Sequence, residues 1–258
     1  QWAKSIGGKS ADESRSIAVD ASGNVYSTGF YKGTADLDPG TGKMLFNAVD
    51  GLFTDIPADI YISKLDKDGK YIWAKSMGGI YADAGNSIAV DDSGNVFTTG
   101  YFRDTADFDP GIGTYILRSV GDDDIFISKL DRNGNFVWAK SIGTDSKDAG
   151  NSISVDASGN VYATGLYGGD TSFISKLNND GTSLWMKFFG GLPNITSNAI
   201  KPDKFGNIYL TGSLPKDAIS IIPLLIFVAK LNTEGDLLWI KDFGDDYQNH
   251  GTSLVVDE

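Results

Sequence analysis

The sequence predicts an all-β protein, a segment of a β-propeller built from four-stranded blades. Three observations carry that prediction: one phrase returns five times, its markers keep fixed spacings, and each fixed stretch has strand chemistry. Tryptophan stands at Trp2, Trp73, Trp138, Trp185 and Trp239, opening a Trp-x-Lys-x-x-Gly phrase each time. Between the tryptophans come a Gly-Asn turn (Gly23, Gly94, Gly159, Gly206), a Thr-Gly (Gly29, Gly100, Gly165, Gly212) and a Lys-Leu (Lys64, Lys129, Lys176, Lys230). In all four repeats the turn glycine lies 21 residues after Trp, the Thr-Gly glycine 6 further on, and the next Trp 9 after the lysine. Only the stretch from Thr-Gly to Lys varies, at 35, 29, 11 and 18 residues. Rigid elements around one tolerant insertion point mark a repeat array.

The second repeat shows each element in order. Ser87–Asp91 alternates and runs into Asp-Ser-Gly-Asn, a tight hairpin turn whose glycine supplies a positive φ. Asn95–Tyr101 is β-branched and aromatic, as strands prefer. Asp124–Leu130, the turn Asp131–Gly134 and Asn135–Ser141 complete four antiparallel strands, named a to d from the channel outward. That is a propeller blade; a β-sandwich would not repeat one phrase in fixed register. The blades are expected at 16–77, 78–142, 143–189 and 190–244. Residues 1–15 hold an outer strand (Trp2–Ile6) and link of a preceding blade, and 245–258 a link and inner strand (Ser253–Asp257) of a following one. A lone d strand and a lone a strand cannot pair without b and c between them. The expectation is therefore a segment of a longer chain, with any targeting signal in the preceding sequence.

Composition narrows the function. The 258 residues carry a formal charge of −12, which disfavours nucleic acid and anionic lipid. Cysteine is absent, removing disulfide and thiolate sites. The most apolar run, Ile219–Val228, contains Pro223 and falls short of the about 20 residues of a spanning helix, so no membrane insertion is expected. Part of it is expected to form strand c of the fourth blade and the remainder to be covered from outside that blade.

The pattern running from Gly143 through Asp148-Ala-Gly-Asn-Ser-Ile-Ser-Val-Asp to Thr164-Gly165 resembles the bacterial SBBP repeat, a seven-bladed β-propeller repeat. Asp107-Phe-Asp-Pro-Gly111 and Asp124-Ile-Phe-Ile-Ser-Lys-Leu-Asp131 fit it too. The fourth repeat departs, with Ile200-Lys-Pro-Asp203 and no Asp-Pro-Gly. The resemblance implies large secreted or surface-attached bacterial proteins, hence an extracellular or cell-surface location, and no common enzymatic activity.

Strand order places the a–b and c–d hairpins on one side of the disc and the d–a links and b–c loops on the other. The longest inserts, Tyr31–Ala58 and Phe102–Asp123, fall in consecutive blades and read as surface insertions that folding does not need. Acidic and aromatic residues on that face are the candidate ligand-binding set. From the first insert they are Asp36, Asp38, Phe53 and Asp55; from the following link and insert, Tyr81, Asp83, Asp107, Asp109 and Tyr115. Such loops are either a recognition surface or unselected variation.

No cofactor is expected, with Ca²⁺ a candidate at the Asp-x-Asp-Pro-Gly phrases through Asp36, Asp38, Asp107 and Asp109. The alternative there is an Asx-stabilised turn. Asp66-Lys-Asp-Gly69 and Asp131-Arg-Asn-Gly134 resemble the start of an EF-hand loop but lack its later acid, so they read as turns. Trp-x-Lys reads structurally, with Trp between blades and Lys protecting an exposed edge. The one histidine, His250, reads as an exposed loop residue, which leaves no Ser–His–Asp or Cys–His set. The expected function is a non-catalytic extracellular module of a larger protein. It would bind a surface glycan or protein, or space other domains of the same protein. The alternative is a carbohydrate-active enzyme using acidic residues at the channel mouth.

Overall fold

The computed structural model describes residues 1–49, 57–189, 195–216, 224–245 and 249–257, and all regular structure among them is β. A bridge strand, β1 (Gly7–Gly8), precedes β2 (Glu13–Val19) and β3 (Val25–Lys32). The first insert forms β4 (Thr34–Asp36) and β5 (Leu45–Asn47), and β6 (Ala58–Leu65) and β7 (Tyr71–Gly79) complete the blade. The second blade is β8 (Ala84–Val90), β9 (Val96–Asp107), β10 (Ile116–Leu130) and β11 (Phe136–Ile142). The third is β12 (Ala149–Val155), β13 (Val161–Tyr167), β14 (Thr171–Leu177) and β15 (Ser183–Phe189). The fourth is β16 (Thr196–Pro202), β17 (Ile208–Pro215), β18 (Leu224–Leu231) and β19 (Leu237–Phe243). Each blade pairs antiparallel in chain order, and the first strands β2, β8, β12 and β16 touch in succession. These are propeller blades arranged around an axis lined by their first strands.

Each blade carries two bulges at the same positions, and in the first three blades each bulge re-aims a side chain towards the next blade. On the inner strands the register slips at Asn86, Asn151 and Asn198. Their amides then donate to the carbonyls of Gly150 (2.9 Å), Ser197 (3.2 Å) and Gly251 (2.9 Å) one blade on. On the outer strands it slips beside Lys64, Lys129, Lys176 and Lys230. The tryptophan after that bulge turns into the junction, where Trp73 and Trp138 are 9% and 8% exposed. The indole N–H of Trp2, Trp73 and Trp138 donates to the carbonyls of Lys67, Arg132 and Asn179, each in the c–d turn of the next blade. The turn glycine must lack a side chain. Gly181 sits at φ +76°, and a Cβ there would lie 2.7 Å from the Trp138 ring. The between-blade role read for tryptophan is what the structure shows.

Trp2–Ile6 and Ser253–Asp257 carry no strand pairing among the described residues, as expected of an outer and an inner strand without b and c beside them. One expectation is corrected, that of dispensable inserts. The inserts are not bare loops: β9 and β10 run past the blade as one hairpin, and β4–β5 form its counterpart in the first blade. Both are packed. Leu37 (1% exposed) joins a small core with Tyr31 and Tyr61, and Phe108 (0%) packs edge-on against Phe102 and at a tilt against Phe126 in the main one. An insert with its own buried side chains belongs to the fold. In the fourth blade, β18 begins at Leu224, as the sequence implies for strand c, while 217–223 lie outside the described residues.

Candidate functional site

The d–a links and inserts share one face, and a repeated aspartate organises it. Asp83 Oδ2 accepts the Gly79 N–H (2.7 Å) at the end of β7, and its Oδ1 accepts that of Arg103 (3.0 Å) in β9. Asp12 bridges Gly8 (2.5 Å) and Lys32 (3.2 Å) in the same way. Asp148 bridges Thr144 (2.6 Å) and Gly168 (2.5 Å). Each ties the end of one outer strand to strand b of the following blade. The inserts pair directly with those outer strands as well: Gly7–Gly8 with Asp36–Ala35, and Gly78–Gly79 with Asp107–Ala106. The hairpins are therefore fixed in orientation at their base.

The candidate residues divide into four groups. Asp36, Asp38, Asp107 and Asp109 cap the two hairpin tips in the same way. Asp36 Oδ1 accepts the N–H of Asp38 (3.1 Å) and Met44 (3.0 Å), and Asp38 Oδ1 that of Gly40 (2.7 Å). Asp107 receives Asp109 (3.0 Å) and Tyr115 (2.8 Å), and Asp109 receives Gly111 (2.8 Å). The Met44 and Asp38 N–H bonds hold the Asp36 carboxyl below its ordinary pKa. This is Asx-turn geometry. Tyr81 and Tyr115 stand nearer solvent: Tyr81 lines a cavity of about 430 Å³ with Arg103, Asp104, Ser119, Gly121 and Asp122, and Tyr115 packs 4.7 Å from Phe136. Asp104 holds φ 58°, a left-handed backbone uncommon outside glycine. Asp83 is not a surface ligand, being 0% exposed beneath this face. Phe53 and Asp55 lie outside the described residues.

The sequence reading missed a second acid below the surface. Asp59, near the start of β6, and Asp124, inside β10, hold equivalent places five residues before the Lys-Leu lysine and are 2% and 1% exposed. Asp59 lies beside Asp83, and Asp124 beside Asp148. Burial pushes the Asp59 carboxyl up to about 7 and Asp124 to about 6, and it pushes Asp83 well above its ordinary value. One signal was available: in both cases the two acids stand 24 residues apart. Arg103 was also missed; it pairs with Asp122 and with Asp123 (2.7 Å), closing one wall of the cavity.

His250 is exposed, with Nδ1 2.9 Å from the Ser213 hydroxyl. That serine is 0% exposed and its hydroxyl also lies 3.1 Å from the Asn249 carbonyl, so its one proton goes to that carbonyl or to the imidazole according to the ring tautomer. Among the described residues no helix is long and apolar enough to cross a membrane, and no group of three or more acids, histidines or cysteines surrounds a common point.

An uncharacterized WD repeat-containing protein of Acanthamoeba polyphaga mimivirus is 26% identical over 183 residues, covering 64% of this chain. The chain spans only 13% of that relative's length. Among solved structures, the Pan2 WD40 domain of Neurospora crassa matches 90% of this chain and 66% of its own, at 11% identity and a TM-score of 0.44. A luciferin-regenerating enzyme matches 92% and 65%, at 13% identity and a TM-score of 0.40. The SBBP family, described as a beta-propeller repeat, matches residues 1–29 and 72–101, each stretch running from beside a junction tryptophan into strand b.

Proposed function

We propose that the chain is a non-catalytic interaction module whose insert face receives a protein partner. The supporting observation is that both inserts are anchored to the blade yet carry exposed apolar side chains. Met44 and Leu45 are 40% and 56% exposed on the first hairpin, and Ile112 and Ile116 are 109% and 44% exposed on the second. Apolar side chains on rigid supports in an otherwise acidic surface suit a partner that brings its own apolar anchors among basic groups. The proposed location is extracellular or at a bacterial cell surface, in keeping with the resemblance to SBBP repeats. The test is capture from the source cells by the parent chain and by a Leu45→Glu, Ile112→Glu, Ile116→Glu variant, with a glycan array in parallel. A protein retained by the parent, lost by a variant of unchanged melting temperature, is the expected result. Equal capture by both, or binding only on the glycan array, refutes the reading.

A further inference from the structure

Two blade junctions each seal a pair of carboxyl groups away from water: Asp59 with Asp83, and Asp124 with Asp148 (2%, 0%, 1% and 1% exposed). No basic side chain among the described residues forms an ion pair with any of the four. Asp83 and Asp148 have a structural task, accepting backbone N–H groups that join two blades. Asp59 and Asp124 do much less. Each accepts one long N–H bond on Oδ2, from Val49 (3.2 Å) and Val120 (3.1 Å), while Oδ1 is buried with no partner. Buried charge without a counter-ion is strongly unfavourable, so a second acid here needs a reason.

The two carboxyl groups of a pair crowd one glycine. A Cβ built on Gly78 would lie 2.7 Å from Asp59 Oδ1 and 3.0 Å from Asp83 Oδ2, so both oxygens come close to the same stretch of backbone, which only a residue without a side chain allows. Gly143 holds the equivalent place in the next junction, where a Cβ would overlap the Asp124 carboxylate. The other two junctions serve as internal controls. The equivalent residues there are Thr171 with Ile195 and Leu225 with Asn249, again 24 apart. Both acids are present or both are missing, as expected if they act together.

We propose that each acid pair is a Ca²⁺ site, one ion riveting the first blade to the second and another the second to the third. The available donors are all oxygen, which suits a hard cation and not zinc or copper. Two carboxylates supply at most four oxygens, so backbone carbonyls and water would complete the shell. So sparse a site belongs with extracellular modules that bind Ca²⁺ at about 0.1–1 mM. This proposal is independent of the partner-binding reading.

The test is calorimetric titration of the chelator-treated chain with CaCl₂, together with melting curves in EGTA and in 5–10 mM Ca²⁺, about tenfold above that range. The expected result is two ions per chain and a higher melting temperature with Ca²⁺. Asp59→Asn should retain one ion, and so should Asp124→Asn, so each junction checks the other if one variant folds poorly. Asp36→Asn, Asp38→Asn, Asp107→Asn and Asp109→Asn together should leave both ions bound. Loss of binding in that quadruple variant would place the ions at the hairpin tips and overturn the proposal. So would the absence of any Ca²⁺ effect on the parent, with Asp59→Asn equally stabilising in EGTA and in Ca²⁺. That outcome would mark the pairs as proton-sharing acids.

Discussion

Trp73 and Lys64, cross-strand partners in the first blade, donate to one and the same oxygen: the carbonyl of Arg132 in the second blade, 3.3 Å from each. The next junction repeats the arrangement, with Lys129 (3.1 Å) and Trp138 (3.1 Å) both on the Asn179 carbonyl. Each lysine also lies over an aromatic ring of its own blade, Tyr26 at 4.9 Å and Phe97 at 5.2 Å. A single turn carbonyl thus receives both the lysine and the tryptophan of a junction.

Emptying that junction should be costly. Trp73→Ala and Trp138→Ala are each expected to destabilise by about 3–5 kcal/mol, the range for a vacated buried aromatic site. Trp138→Phe, which keeps much of the volume and loses the N–H, should cost less, with about 1 kcal/mol of it from the missing hydrogen bond. Denaturant melts of the three variants check this. A Trp→Ala variant that melts like the parent would remove the packing role.

The turn glycine should resist substitution for two separate reasons. Gly181→Ala forces a left-handed backbone on an L-residue, worth about 1–2 kcal/mol, and drives a methyl into the Trp138 ring. The same change at Gly168, with φ +66° and nothing within 4 Å of a Cβ, should show the backbone cost alone. Equal losses at the two sites would mean that the ring moves aside freely.

The inserts should behave as core and not as decoration. Phe108→Ala is expected to cost about 3–5 kcal/mol and Leu37→Ala about 2–5 kcal/mol, since both side chains are buried. Thermal melts that match the parent would restore the view of the inserts as dispensable surface loops.

Acid sensitivity should come from the turns. The Lys70 N–H, with that of Asp68, lowers the Asp66 pKa; at Asp131 burial opposes ionisation, but N–H groups of Asn135 and Asn133 outweigh it. A folded-state pKa below the ordinary 3.8 gives stability that is present above 3.8 and lost as pH falls through the lowered folded-state value. Asn178 and Asn232 hold the same turns in the third and fourth blades through the same N–H contacts, without titrating. Asp66→Asn with Asp131→Asn should therefore keep neutral-pH stability and flatten the decline below about pH 4. Melting temperatures from pH 7 to 3 decide it, and an unchanged slope would exclude these carboxylates as its source.

The strands were legible because their markers recur at fixed spacing, and the inter-blade place of tryptophan was legible from its register. Bulges were not, because nothing in the residue types marks Ile72 or Asn86 as the extra residue of its strand. Without the bulge there was no sign that asparagine on the inner strand reaches the next blade. The lysine of Trp-x-Lys was read as guarding an edge, yet Lys187 pairs with Asp236 of the following blade (2.5 Å). Asp59 looked like an ordinary acid at a strand start. Its meaning depends on a residue 24 positions on, in another sheet, and only the packing of two blades brings them together.

The tryptophan latch and the asparagine ladder both point one way, from each blade to its successor. A junction of this kind is head-to-tail, so every blade presents a giving edge and a receiving edge that differ in chemistry. Duplicating or excising one whole repeat rejoins a giving edge to a receiving edge, and repeat number can drift without any new interface being invented. Damage, by contrast, is displaced: a lesion at Gly181 lies in the third blade but loosens the tryptophan of the second. The inherited unit and the cooperative unit are out of phase, which ties the fate of each blade to the sequence of its neighbour.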